Sequence, residues 1–328
     1  MTRVRMICDN DYAGDPDGLV QLAHHLLSPS VDVRAVIASH LGPDDAFDPS
    51  GRSAEHGAVA ARRIAELAGR ADVAILAGAE RALSGRAAPA RGEDPGAGAG
   101  EAPPSEGARA IIAEALRDDP RPLYVACGGG LTEIASAWLA QPRIAQLITA
   151  VVWIGGAEHH LPGVGSVPAP PGAAGPEYNT GIDLHAAQVV FDSDLPLWQV
   201  PRDAYRRLLV SSAELETRMR PAGALGAHLT EALDDARRLM AGLGQDLGET
   251  YALGDTPLVL LTALQSAFQP DTSSSEHTLV PAPRIGDDGG YLARPDGRPI
   301  RVYRRLDARL AVEDLFAKLR LHAARAAR

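Results

Sequence analysis

The chain has 328 residues and a mass of 34.4 kDa, long enough for one large α/β domain or two smaller ones. Hydrophobic residues make up 45% and charged residues 23%, which excludes wholesale disorder, and 32 Lys and Arg against 42 Asp and Glu exclude the basic face that nucleic acid demands. No apolar run approaches the roughly 20 residues of a membrane span, and Asp9 interrupts the N-terminus too early for a signal peptide, so a cytoplasmic protein is expected. Cys8 and Cys127 are too few for a disulfide framework and read as reduced core thiols.

In chain order, residues 4–8 form a short apolar run that breaks into an acidic, Gly-containing stretch. Leu19, Leu22, Ala23, Leu26 and Leu27 then recur at helical spacing, which predicts strand, loop, helix. Strands are expected at 33–38, 73–76, 123–127 and 148–154, and helices at 54–67, 108–116 and 134–139. This alternation predicts an α/β fold with a mostly parallel central sheet and helices on both faces. Ligands of such a sheet bind at the carboxyl ends of its strands.

Segments 85–106 and 157–176 are rich in Pro, Gly and Ala and poor in large apolar side chains, so both are expected to be flexible loops. Each follows a strand, which puts them at one mouth of the sheet, as a lid or as plain connections. A helix is expected over 214–243 with a break near Pro221, and another over 256–267. The turn Pro295-Asp296-Gly297, between Tyr291-Leu292 and Ile300-Arg301-Val302-Tyr303, predicts a late hairpin. With no internal repeat, a single domain over residues 1–328 is expected.

Asp9, Asp11, Asp15 and Asp17 crowd into nine residues between the first strand and the first helix. A helix N-terminus gains from one Asp; four raise one another's pKa unless a cation or hydrogen-bond donors compensate. Carboxylates in this number suit calcium or magnesium. An EF-hand is excluded, because Val20 stands where its closing Glu belongs and a strand precedes the loop. Gly128-Gly129-Gly130 lacks the Lys-Ser/Thr of a phosphate loop and the spacing of a dinucleotide fingerprint, and neither Ser84 nor Ser166 sits in a nucleophile elbow.

The acidic loop resembles the N-terminal signature of the nucleoside hydrolase family, Asp-x-Asp-Pro-Gly-x-Asp-Asp between strand and helix, with Pro16 separating the last two carboxylates. Four further segments are similar to the family in the same order. They are Ala77-Gly78-Ala79-Glu80-Arg81, Gly129-Gly130-Leu131-Thr132-Glu133-Ile134, Glu177-Tyr178-Asn179 with Asp183, and Gly254-Asp255-Thr256-Pro257. The resemblance implies the family's Rossmann-like architecture and a calcium-dependent hydrolase that splits a ribonucleoside into ribose and free base. It implies calcium ligation by Asp11, Asp17, Asp255 and the Gly128 carbonyl, with Asp11 also taking the proton of the attacking water. It further implies ribose binding by Asp15 and Asn179, with Glu177 and His40 beside the substrate. Pro16 leaves open which of Asp15 and Asp17 takes the metal.

Gly254 stands where many family members carry a leaving-group histidine, which leaves His159 and His160 as candidates for that task, against the plainer reading of a solvated pair. A homo-oligomer and a small-molecule nucleoside partner are likewise implied by the resemblance. Hydrolysis of another N-ribosyl or sugar compound, and calcium-dependent sugar binding without turnover, remain the alternatives.

Overall fold

The structure, a computed structural model, describes residues 3–83, 104–159, 175–266, 268 and 273–328. Its strands are β1 (Val4–Asn10), β2 (Val31–Ala38), β3 (Ile75–Ala77), β4 (Leu123–Cys127), β5 (Ala150–Ile154), β6 (Leu197–Val200), β7 (Leu209–Ser211), β8 (Thr250–Ala252), β9 (Glu276–Pro281), β10 (Arg284–Ile285), β11 (Tyr291–Leu292) and β12 (Pro299–Arg305). The principal helices are α1 (Asp17–Leu26), α2 (Ser53–Leu67), α3 (Glu106–Ala115), α4 (Thr132–Ala140), α5 (Tyr178–Ile182), α6 (Leu184–Asp192), α7 (Arg202–Tyr205), α8 (Ser212–Glu214), α9 (Gly223–Gly242), α10 (Pro257–Thr262) and α11 (Ala308–Ala326).

Eight strands form one sheet in the order β3-β2-β1-β4-β5-β6-β12-β9, parallel throughout except for the β12–β9 pair. Side chains alternate across it, as strand geometry requires. Met6, Cys8, Val36, Ala126 and Val152 pack on the face covered by α1, α2, α9, α10 and α11, whereas Ile7, Ile37, Val125, Cys127 and Val151 pack under α3, α4 and α6. The expected α/β fold with a mostly parallel sheet and helices on both faces is therefore the observed one. Cys8 and Cys127 are free and buried, on opposite faces of the sheet.

Beyond β1 the chain turns one way through α1 to β2, and later returns through α3 to β4 on the other side of β1. The reversal leaves a crevice between the carboxyl ends of β1 and β4, where a doubly wound sheet binds its ligands. Asp11 and Gly128 stand at its two lips, and the Gly128 amide donates to the Asp9 carbonyl at 2.9 Å.

Several expected elements fold differently. The late hairpin does not form: Tyr291-Leu292 pairs with β10, while β12 joins the main sheet between β6 and β9. Ile300 and Val302 are 1% exposed there, a burial that a two-stranded ribbon cannot give, so core packing overrides the local turn signal. The third strand runs over Ile75–Ala77, later than expected, because its pairing with Val36, Ile37 and Ala38 sets its limits. The helix expected from 256 to 267 ends at Thr262. Over 214–243 a π-helical turn, Leu215–Met219, precedes α9, with the break at Pro221 as the proline demands. His160 and most of the two segments expected to be loops, 84–103 and 160–174, lie outside the described residues. Among the described residues no helix is long and apolar enough to cross a membrane.

Candidate functional site

The acidic loop is fixed at both ends. The Asp11 carbonyl accepts from the Gly14 amide at 2.7 Å, and Tyr12 anchors the turn by burying its ring in the core. Pro16 takes the position before α1 and so places Asp17 at the first helical residue, where the helix dipole favours a carboxylate. From the other end of the chain, the residues after β8 bring Asp255 against this loop. Its amide donates to Asp17 Oδ2 at 3.0 Å, and its own Oδ2 accepts from Asn10 Nδ2 at 2.8 Å. Asp15 Oδ1 accepts from the Tyr251 hydroxyl at 2.7 Å.

Asp11, Asp15, Asp17 and Asp255 are thus neighbours, and burial raises the pKa of each. Burial acts most strongly on Asp11 and Asp17, with repulsion from Asp255 next. Burial also raises Asp15, against the Tyr251 bond that lowers it. Asp255 is pushed up to about 7, chiefly by burial, although the Asn10 bond acts in the opposite direction. No cationic side chain is among the groups that set these four carboxyls. Asp9, the fourth aspartate of the loop motif, has a different fate. It is fully buried, neither of its oxygens has a hydrogen-bond partner among the described residues, and its carboxyl is raised by burial and by Glu133.

The remaining expected residues surround this cluster. Asn179 donates from Nδ2 to the Gly128 and Ile154 carbonyls, both at 2.8 Å, which ties β4 and β5 together at the crevice. Glu177 caps α5 and accepts from the Gly156 amide at 2.7 Å, the Thr180 amide and hydroxyl, and the Tyr205 hydroxyl at 2.7 Å. Its carboxylate is therefore spent on the scaffold of the site. His40 is buried at the end of the segment after β2, with Nδ1 against the Leu41 carbonyl at 2.8 Å and Nε2 against Thr132 Oγ1 at 3.1 Å. Both ring nitrogens thus face protein groups. His159 Nε2 lies 2.8 Å from Gln199 Oε1, and its ring lies 4.5 Å from that of Tyr291.

At Gly254 a Cβ would lie 3.2 Å from Asp17 Oδ2 and 3.2 Å from the Tyr205 ring. Tyr205 therefore packs where a side chain at 254 would begin. Sequence reasoning missed Tyr205, Tyr251, Asp45, whose Oδ2 accepts from the Tyr178 hydroxyl at 2.6 Å, and above all Asn10. Of these, Asn10 alone had a readable signal, its place between two site aspartates.

A hard divalent cation suits this donor set: the carboxyls of Asp11, Asp15, Asp17 and Asp255 and a backbone carbonyl at Gly128, with no protein cation beside them among the described residues. Among the described residues no three His, Cys, Asp or Glu side chains stand converged on one ion position, so ligation requires the carboxylates to close in from their present places.

The chain is 26% identical to the pyrimidine-specific ribonucleoside hydrolase RihA of Salmonella arizonae over 214 residues, which cover 61% of this chain and 61% of that protein, less than two thirds of its length. Among solved structures, the fold is similar to that of a purine-preferring ribonucleoside hydrolase from Gardnerella vaginalis, with a TM-score of 0.70 and 19% identity over 97% of this chain and 99% of that one. A plant nucleoside hydrolase aligns with a TM-score of 0.68 and 17% identity over 97% and 99% of the two chains. Residues 6–281, which run from β1 to β9 and include every one of the carboxylates at the crevice, match the inosine-uridine preferring nucleoside hydrolase family, and the chain belongs to that family.

Proposed function

We infer that this protein hydrolyses the N-glycosidic bond of a ribonucleoside, with calcium held by Asp11, Asp17, Asp255 and the Gly128 carbonyl. The observation that carries the reading is the grouping of four carboxyls, each raised in pKa chiefly by burial and none with a cationic partner among the described residues, at the topological switch point of the sheet. When bound, calcium supplies the positive field that keeps these carboxyls ionised and polarises a water. Everything else is the work of the chain.

Asp11 is the proton acceptor. Apart from backbone, no donor holds its carboxylate, and it sits against Gly129, where a Cβ would come within 3.0 Å of its Cγ. Its proton comes from water as the water oxygen bonds to C1′; the C1′–N bond breaks and its electron pair leaves with the base. The base takes a proton from solvent or from a nearby donor. Positive charge that develops on the sugar faces the carboxylates, which stabilise it more than they stabilise the neutral ground state. Asp15, steadied by Tyr251, and the Asn179 carbonyl oxygen are the groups proposed to hold ribose hydroxyls.

The single-domain reading draws support from β12, a strand of the last thirty residues that pairs in parallel with β6 inside the main sheet. A homo-oligomer remains part of the proposal through the family. The test is chromatographic detection of free base from inosine, uridine and cytidine, with and without a chelator. Calcium-dependent release from one or more supports the reading, and no release with calcium present overturns it.

A further inference from the structure

Asn10 is fully buried at the end of β1, and its side chain connects three segments that the site needs in register. Oδ1 accepts from the Asp11 amide at 2.9 Å. Nδ2 donates to Asp255 Oδ2 at 2.8 Å and to Gln21 Oε1 at 3.2 Å. A primary amide has two N–H donors and one carbonyl, and here both donors and the carbonyl have partners. Rotating the amide by half a turn would set N–H against the Asp11 N–H and the carbonyl against the Asp255 carboxylate, so its orientation is fixed.

The amide is also packed from two sides by glycines. A Cβ on Gly128 would lie 2.2 Å from Nδ2, and one on Gly18 would lie 3.0 Å from it. Gly128 has no left-handed backbone that would call for glycine, so its missing side chain is explained by the space the Asn10 amide occupies. The carbonyl of Gly128 and the carboxylate of Asp255, 127 residues apart in sequence, are therefore gauged against one side chain.

We propose that Asn10 is the positioning residue of the cation site, which holds the Asp255 carboxylate, the Asp11 backbone and the Gly128 segment in register with one another. This rests on the reading of the crevice as a calcium site. Without its amide, Asp255 is free to rotate toward solvent or away from Asp11, and the ligands must be gathered anew at each binding event. Partners that orient metal ligands typically govern affinity by about 10- to 100-fold. Gln21, which fixes the second N–H of Asn10, acts one step further out and should have a smaller effect.

Calcium titration by calorimetry on wild type, Asn10→Leu and Gln21→Met tests the assignment, alongside thermal melts in chelator. Leu matches the amide in volume without its bonds. The expected result is a calcium affinity about ten-fold or more weaker in Asn10→Leu and a smaller loss in Gln21→Met, with melts in chelator within a few degrees of wild type for Gln21→Met. Wild-type affinity in Asn10→Leu overturns the inference while leaving the calcium reading intact. If Asn10→Leu does not fold, Gln21→Met decides, and unchanged affinity there overturns it. A wild-type chain that binds no calcium overturns the calcium reading and this inference with it.

Discussion

Strand β1 carries charge at both ends, and the two ends are treated in opposite ways. At its start, buried Arg5 donates to the Glu114 carboxylate at 2.9 Å and to the carbonyls of Glu114, Asp119 and Arg121. Around it, Arg117 and Arg34 reach Glu114, and Arg121 bridges Asp119 and Asp32. Glu114, Asp119 and Asp32 at that pole each have an arginine. At the other end, Asp11, Asp15, Asp17 and Asp255 share no cation among the described residues. A fold under selection for stability alone would compensate both poles, so the uncompensated one is where a ligand completes the structure.

The largest effect is expected from the acidic pole. Asp11→Asn keeps the shape of the side chain but removes its capacity to accept a proton, so base release should fall by about 10²- to 10⁴-fold. Its melting temperature in chelator should rise, because one of the mutually repelling buried carboxyls is gone. Retained turnover, measured by chromatography, would move the base to Asp15. At the opposite pole, Arg5→Met leaves Glu114 buried with only Arg34 and Arg117, and should cost about 3 kcal/mol by chemical denaturation while turnover per folded molecule stays constant. Equal stability would mean that the arginine pole contributes nothing.

A third comparison lies within the site. Gly254 offers no leaving-group acid, and His159 lies against Gln199 and Tyr291. A p-nitrophenyl riboside, whose leaving group needs no proton, should therefore be cleaved much faster than inosine, each tenfold corresponding to about 1.4 kcal/mol. Similar rates would reveal a proton donor, with Tyr205→Phe and His159→Ala the variants that locate it.

The last comparison concerns pH. A carboxyl whose folded pKa is raised contributes stability that is present below its unfolded value of 3.8 and is lost as pH rises through the folded one. For Asp255, raised to about 7, the chelated protein should lose about 1.4 kcal/mol per pH unit in that window. Asp119 at the arginine pole is depressed by its bonds to Arg121 and works in the opposite sense, its contribution lost only in strong acid. Melting temperatures in chelator from pH 4.5 to 7.5 should fall, and calcium should flatten the trend. A flat profile without calcium would show that these carboxyls are compensated after all.

Much of this architecture was readable from the sequence. The runs 4–8, 33–38 and 123–127 became β1, β2 and β4 because buried parallel strands are continuous apolar segments, and the helical spacing after Asp17 became α1. Strand β6 and helices α6 and α11 escaped notice: β6 is four residues of mixed polarity, and α11 is broadly charged outside its buried Ala311, Leu315, Phe316 and Leu319. The hairpin around Pro295-Asp296-Gly297 failed because turn chemistry is local and competition for the sheet is not.

The sequence by itself determined the alternation of strands and helices, the crowding of aspartates after β1 and the colinear segments that mark the family, since all of these are properties of neighbours along the chain. Only tertiary structure decided which carboxylates become neighbours. It set Asp255 beside Asp17, buried Asp9 where Glu133 repels its charge, tied Glu177 to backbone amides and Tyr205, and placed the Asn10 amide in the space that Gly128 leaves open. Spacing along a strand says which residue types are close in number; hydrogen-bond partners and the volume of a Cβ say which groups can meet, and those depend on segments more than a hundred residues apart.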